Sequence, residues 1–135
     1  MVSLERRIGN VARDSFGWES LRPGQGEAAA AVVEGRDTLA VMSTGYGKSA
    51  IYQIAALLLP GPTVVVSPLI ALQRDQLDGI ADRNLGRAAA LNSTLGEGAR
   101  RDVLANYRAG ELEFLLLSPE QLATEELLEV LSDPP

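Results

Sequence analysis

The spacing of apolar positions changes along this chain, and each change predicts a different element. From Ser3 onward, Leu4, Ile8 and Val11 recur at helical spacing, which predicts an amphipathic helix capped by the Ser3 hydroxyl and ending near Gly17. Pro23 stands where a second helix would begin, and GQGEAAAAVVEG runs Ala-rich to Gly35, a residue suited to a helix C-cap. The period then gives way to a short β-branched run, Thr38 to Met42, followed by STGYGKS and a long apolar helix, SAIYQIAALLL, stopped by Pro60-Gly61-Pro62. The same strand-then-helix unit recurs: TVVV (63–66) precedes LIALQRDQLDGIADR, RAAAL (87–91) precedes GEGARRDVLANYR, and EFLLL (113–117) precedes PEQLATEELLEVL. Such alternation, with strands apolar on both faces, predicts an α/β fold in which a parallel sheet is covered by helices and ligands bind at the carboxyl ends of the strands. Those ends are Ser43, Ser67, Asn92 and Ser118.

Composition narrows the chemistry. Among 135 residues there is no cysteine and no histidine, which excludes disulfides, thiolate or imidazole metal sites, and catalysis by a Cys nucleophile or a His base. No apolar run approaches the roughly 20 residues that span a bilayer, and MVSLERRIGN has no secretory apolar core, so a cytoplasmic protein without a membrane span is expected. The net charge of −6 is local: residues 111–135 hold seven acids and no base, while the first 110 residues carry 11 acids and 12 bases. A phosphate-binding groove built from a few Arg side chains and backbone amides is therefore compatible with the overall charge. Of the 12 basic residues, 11 are Arg, and Lys48 is the single lysine.

That lysine lies in TGYGKS, between the predicted strand and the apolar helix. Amides of Thr44, Gly45, Tyr46, Gly47 and Lys48 can wrap an anionic oxygen, because the glycines permit close approach and the following helix directs its positive end to the same point. Lys48 would reach the terminal phosphates of a nucleotide and Ser49 would ligate Mg²⁺. A tight strand-to-helix turn with a solvated lysine is the plainer alternative, and the context disfavours it. Met42 occupies the place of the first glycine in the general phosphate-loop pattern, and with no second lysine there can be no Asn-Lys-x-Asp guanine reader.

FGWESLRPGQ, MSTGYGKSAIYQ, VVVSPLIALQRDQ, LNST and FLLLSPEQL, in this order and spacing, resemble the N-terminal motor domain of RecQ-type DNA helicases of superfamily 2, over roughly residues 12–124. The resemblance implies a RecA-like phosphate-loop NTPase fold, here the N-terminal part of the first motor domain over residues 1–135, and a parent protein that couples ATP hydrolysis to 3′-to-5′ translocation on single-stranded DNA and to duplex unwinding, in DNA repair and recombination. It assigns Trp18, Arg22 and Gln25 to adenine: an aromatic face, a guanidinium, and a carboxamide complementary to N6 and N7. A hydrophobic anchor is the alternative for Trp18. The resemblance also assigns Ser67, Pro68 and Leu69, with Gln73 and Arg74 on the following helix, to the single-stranded DNA backbone, extended by Asn92, Ser93, Ser118 and Pro119. The side chains of Leu69, Ile70 and Leu72 are expected in the core, and turn capping is the alternative for Asn92, Ser93 and Ser118.

Some positions depart from the family pattern. Ser43 replaces a common Pro, Leu21 a usual Phe, and Gln121 an Arg, which leaves the charge contact at that last place open. No apolar run ends in Asp-Glu, so the carboxylates that hold Mg²⁺ and polarise the attacking water are expected beyond Pro135, together with a second motor domain. The isolated chain is accordingly expected to bind ATP without hydrolysing it, and an incomplete sheet would leave an open edge that invites association. A DEAD/DEAH-type RNA helicase fragment, or a nucleotide- or nucleic-acid-binding module without enzymatic activity, are the alternative functions.

Overall fold

A computed structural model describes residues 2–43 and 45–135. The chain forms two compact units, residues 1–60 and 61–135.

The first unit is helical. Helix α1 (Leu4–Phe16) starts where predicted, with the Ser3 hydroxyl accepting from the Arg6 amide at 3.3 Å, and ends at Gly17, whose left-handed φ of 70° lets its N–H reach back to the carbonyls of Ala12 and Arg13. Helix α2 (Gln25–Val33) begins two residues after Pro23, and α3 (Lys48–Leu58) follows Gly47. Ile8, Ala29, Ala50 and Ile54 form the core of this unit, flanked by Leu4, Val11, Phe16, Trp18 and Leu21. The alanines of α2 let the helices approach closely: Ala29 is fully buried, and α2 packs on both α1 and α3.

The second unit is a parallel α/β layer. Strands β1 (Thr63–Val66), β2 (Ala88–Leu91) and β3 (Phe114–Leu117) form a sheet in the order β1-β3-β2. They alternate with α4 (Ile70–Asp82), α5 (Glu97–Arg108) and, after a 3₁₀ turn at Pro119–Ala123, α6 (Glu125–Ser132). The central strand reads FLLL, and all four side chains are buried, as a strand covered on both faces requires. Leu91, Leu104, Tyr107, Leu112, Leu115, Leu117, Leu127 and Val130 make the core. Val66 and Leu91 both stand in register with Leu117, so Ser67, Asn92 and Ser118 follow directly on one level at the carboxyl end of the sheet.

Two expectations need correction. Thr38–Met42 is not a strand: it has no hydrogen-bonded strand neighbour among the described residues, and Leu39 and Val41 are 90% and 86% exposed. A β-branched run supplies propensity, but a strand exists only through the ladder it shares with a neighbour. Leu69 and Leu72 are not core residues either, at 61% and 43% exposure, because they fall on the outward side of the β1–α4 junction while Gln73 and Ile80 turn inward. The rest of the α/β architecture agrees with the pattern, with each strand of the sheet within one residue of its predicted start.

Candidate functional site

Each unit presents one group of the sequence-predicted residues. In the first unit, Trp18, Arg22, Gln25, Gly45, Tyr46 and Gly47 line a cavity of about 480 Å³, within the range of small-molecule sites. Glu19 and Ser20 also line it; nothing in their spacing announces this, since they enter through the loop between α1 and α2. Trp18 lines the cavity, and its ring lies 5.0 Å from that of Phe16 at the edge of the core.

The loop is braced from beneath. Gln25 is 1% exposed; its Nε2 donates to the carbonyls of Tyr46 at 3.2 Å and Gly47 at 3.1 Å, and its Oε1 accepts from the Arg22 amide at 2.8 Å. The Gln25 carboxamide is thus engaged with the loop, which satisfies the donors and acceptor of a buried amide. Gly47 shows why glycine is required. Its φ is 97°, and a Cβ there would fall 2.5 Å from Gln25 Nε2. Arg22 donates to the Gly45 carbonyl at 3.0 Å, and its guanidinium carbon lies 5.3 Å from the centroid of the Tyr46 ring.

Gly47 is also the N-cap of α3, with no side-chain hydrogen bond to the first turn, so the helix start is left for an anion. Lys48, exposed, and Ser49, half-buried, occupy that first turn. Thr44 lies outside the described residues. Ser43, expected at a strand end, is exposed and lies outside any helix or strand.

In the second unit the strand ends are joined by a buried polar chain. Gln73, on the first turn of α4, is 1% exposed; its Nε2 donates to the Ser67 carbonyl at 2.9 Å, and its Oε1 accepts from Asn92 Nδ2 at 3.0 Å. Asn92 Oδ1 in turn accepts from the Thr94 amide at 3.0 Å. The buried Gln73 amide thus ties the ends of β1 and β2 to α4. Asn92, 7% exposed, is engaged in the same way, as turn capping would have it.

The Ser67 hydroxyl is buried without a partner among the described residues, next to the start of α4, which has no side-chain cap. Pro68, Leu69, Arg74, Ser93 and Pro119 are exposed around these junctions, and Arg74 borders a cleft of about 310 Å³ that also touches Ile70, Asn92 and Thr94. Ser118 is buried, and the Glu120 backbone N–H holds the exposed Glu120 carboxyl below the usual range. Gln121 has a cationic partner after all: the Arg100 guanidinium of α5 donates to its Oε1 and lies 3.8 Å from Glu126. Arg100 gave no signal in the sequence, since its partners come from distant turns.

Comparison with known proteins completes the description. The DEAD/DEAH box helicase family matches residues 22–132. The chain is 39% identical to "ATP-dependent DNA helicase RecQ" of Haemophilus influenzae over 123 residues, covering 91% of this chain and 20% of the relative. It is 41% identical to "ATP-dependent DNA helicase RecQ" of Synechocystis over 132 residues (98% and 27%), and 40% identical to "Probable ATP-dependent DNA helicase RecS" of Bacillus subtilis over 120 residues (89% and 24%). The chain spans about a fifth to a quarter of these relatives' length. Among the described residues no helix is long and apolar enough to cross a membrane.

Proposed function

Since this chain belongs to the DEAD/DEAH box helicase family and resembles its RecQ type, we propose that it is the ATP-binding portion of a DNA helicase acting in the cytoplasm on single-stranded DNA, with 3′-to-5′ translocation. The observation that carries this reading is the loop at Gly45–Gly47: two left-handed glycines, braced by Gln25, lead into a helix whose first turn bears the chain's single lysine. A triphosphate is held there by backbone amides and by Lys48, its base lying in the cavity bordered by Trp18 and Arg22. Ser49 offers the hard oxygen donor that Mg²⁺ favours and would be the residue of this chain to hold it; when bound, the metal would neutralise charge on the phosphates.

For the nucleic acid, the supporting features are the unpartnered Ser67 hydroxyl, the uncapped start of α4 and the exposed Arg74. They suit a phosphate backbone of any sequence. No apolar run of this chain ends in a carboxylate pair, so the 135-residue chain binds ATP without turning it over.

Isothermal titration of the chain with ATP and Mg²⁺ tests the reading. Binding is expected, and Lys48→Ala should weaken it by about tenfold or more while leaving the circular dichroism spectrum unchanged, since a charge-assisted contact to phosphate is lost. Equal affinity in the variant, or no binding at all, would overturn the phosphate-loop assignment. Brisk hydrolysis by the purified chain would overturn its division between binding and catalysis. Anisotropy titrations with DNA and RNA oligonucleotides of equal length decide between the DNA reading and an RNA helicase.

A further inference from the structure

The phosphate loop carries a tyrosine at a place where its own geometry asks for no side chain. Gly45 and Gly47 supply the left-handed turns, with φ of 80° and 97°, and the amides that face an anion belong to the backbone. Tyr46 between them nevertheless makes two side-chain contacts, and both go to the segment that borders the base end of the cavity. Its hydroxyl donates to the Pro23 carbonyl at 2.8 Å, and its ring lies under the Arg22 guanidinium at 5.3 Å. Its carbonyl is held by Gln25 of the same segment at 3.2 Å.

We propose that Tyr46 is a positioning residue for nucleobase recognition: a phosphate-loop side chain that acts through Arg22 and the Pro23 turn on the base, and not on the phosphates. Arg22 is exposed and its side chain is long, so an unsupported guanidinium would lose rotamer freedom each time it met a base. The ring beneath it and the Gly45 carbonyl beside it remove that freedom in advance. Trp18 and the supported Arg22 then border the cavity as fixed groups. Loop and base segment move as one element, because Tyr46 crosses between them by a hydroxyl, a ring and a carbonyl.

This inference rests on the cavity being an ATP site, and the experiment separates the two ideas. Affinities for ATP and for inorganic tripolyphosphate are measured, with Mg²⁺, for the unaltered chain, Tyr46→Ala and Tyr46→Phe, with circular dichroism confirming the fold of each. The unaltered chain is expected to prefer ATP. Tyr46→Ala should lose about fivefold or more in ATP affinity while tripolyphosphate binding stays within about twofold, and Tyr46→Phe, which keeps the ring under Arg22 and loses the Pro23 bond, should fall between. A parallel loss for both ligands, or an unchanged preference for ATP in Tyr46→Ala, would overturn the proposal. If the unaltered chain binds tripolyphosphate and ATP equally, base recognition is absent and the proposal fails while the phosphate site stands. If it binds neither, the nucleotide reading itself falls and this one with it.

Discussion

At the scale of single residues, the buried amides do most to hold the site's geometry. Gln25 and Gln73 are each 1% exposed, and each spends both ends of its carboxamide on a junction: Gln25 on the phosphate loop, Gln73 on the ends of β1 and β2. Such groups stabilise modestly when paired but are costly to remove, because the partners left behind stay buried. Gln73→Leu keeps the volume while stranding the Ser67 carbonyl and Asn92 Nδ2. It should lower the unfolding free energy by about 1–3 kcal/mol in urea titrations, whereas no measurable loss would show that Gln73 is only filler. Glutamine in sequence gives no hint of this, since Gln73 sits beside exposed Leu72 and Arg74 and its inward direction is set by α4 packing over the sheet.

At the scale of elements, burial decides what each strand can tolerate. β3 has a neighbour on either side and all four of its side chains buried; among the described residues β1 pairs only with β3, and its Val64 and Val66 are partly exposed. Leu115→Ala should therefore cost about 2–5 kcal/mol, a large share of a small domain's stability of about 5–15 kcal/mol. Val64→Ala should cost less than about 1 kcal/mol. Chemical denaturation of the two variants, side by side, checks the contrast; similar losses would mean that the edge strand is covered as thoroughly as the centre. This hierarchy is only half legible in the sequence: TVVV and FLLL are equally apolar, and only the order β1-β3-β2 makes one an edge and the other a centre.

At the scale of the molecule, charge and apolar exposure act in opposition. A net charge of −6 favours dispersal, and much of it comes from the seven acids after residue 110. Leu39 and Val41, at 90% and 86% exposure, favour association, since an unpaired apolar β-branched segment is a template for another chain. Replacing both by Lys changes the net charge only toward neutrality, so any gain in dispersal must come from the lost apolar surface. Sedimentation velocity at rising concentration is expected to show association of the unaltered chain and mostly monomer for Leu39→Lys/Val41→Lys. Identical behaviour would place the contact elsewhere on the chain.

The sequence by itself determined the alternation of strands and helices, their ends to within a few residues, and the glycine turn that opens α3, because periodicity, capping and glycine placement act over a few neighbouring positions. Tertiary structure decided whether 38–42 would be a strand, which strand would be central, and which backbone groups Gln25 and Gln73 would brace. Those outcomes depend on hydrogen-bond partners and covering surfaces supplied by other elements of the chain, and a local pattern carries no record of who those partners are.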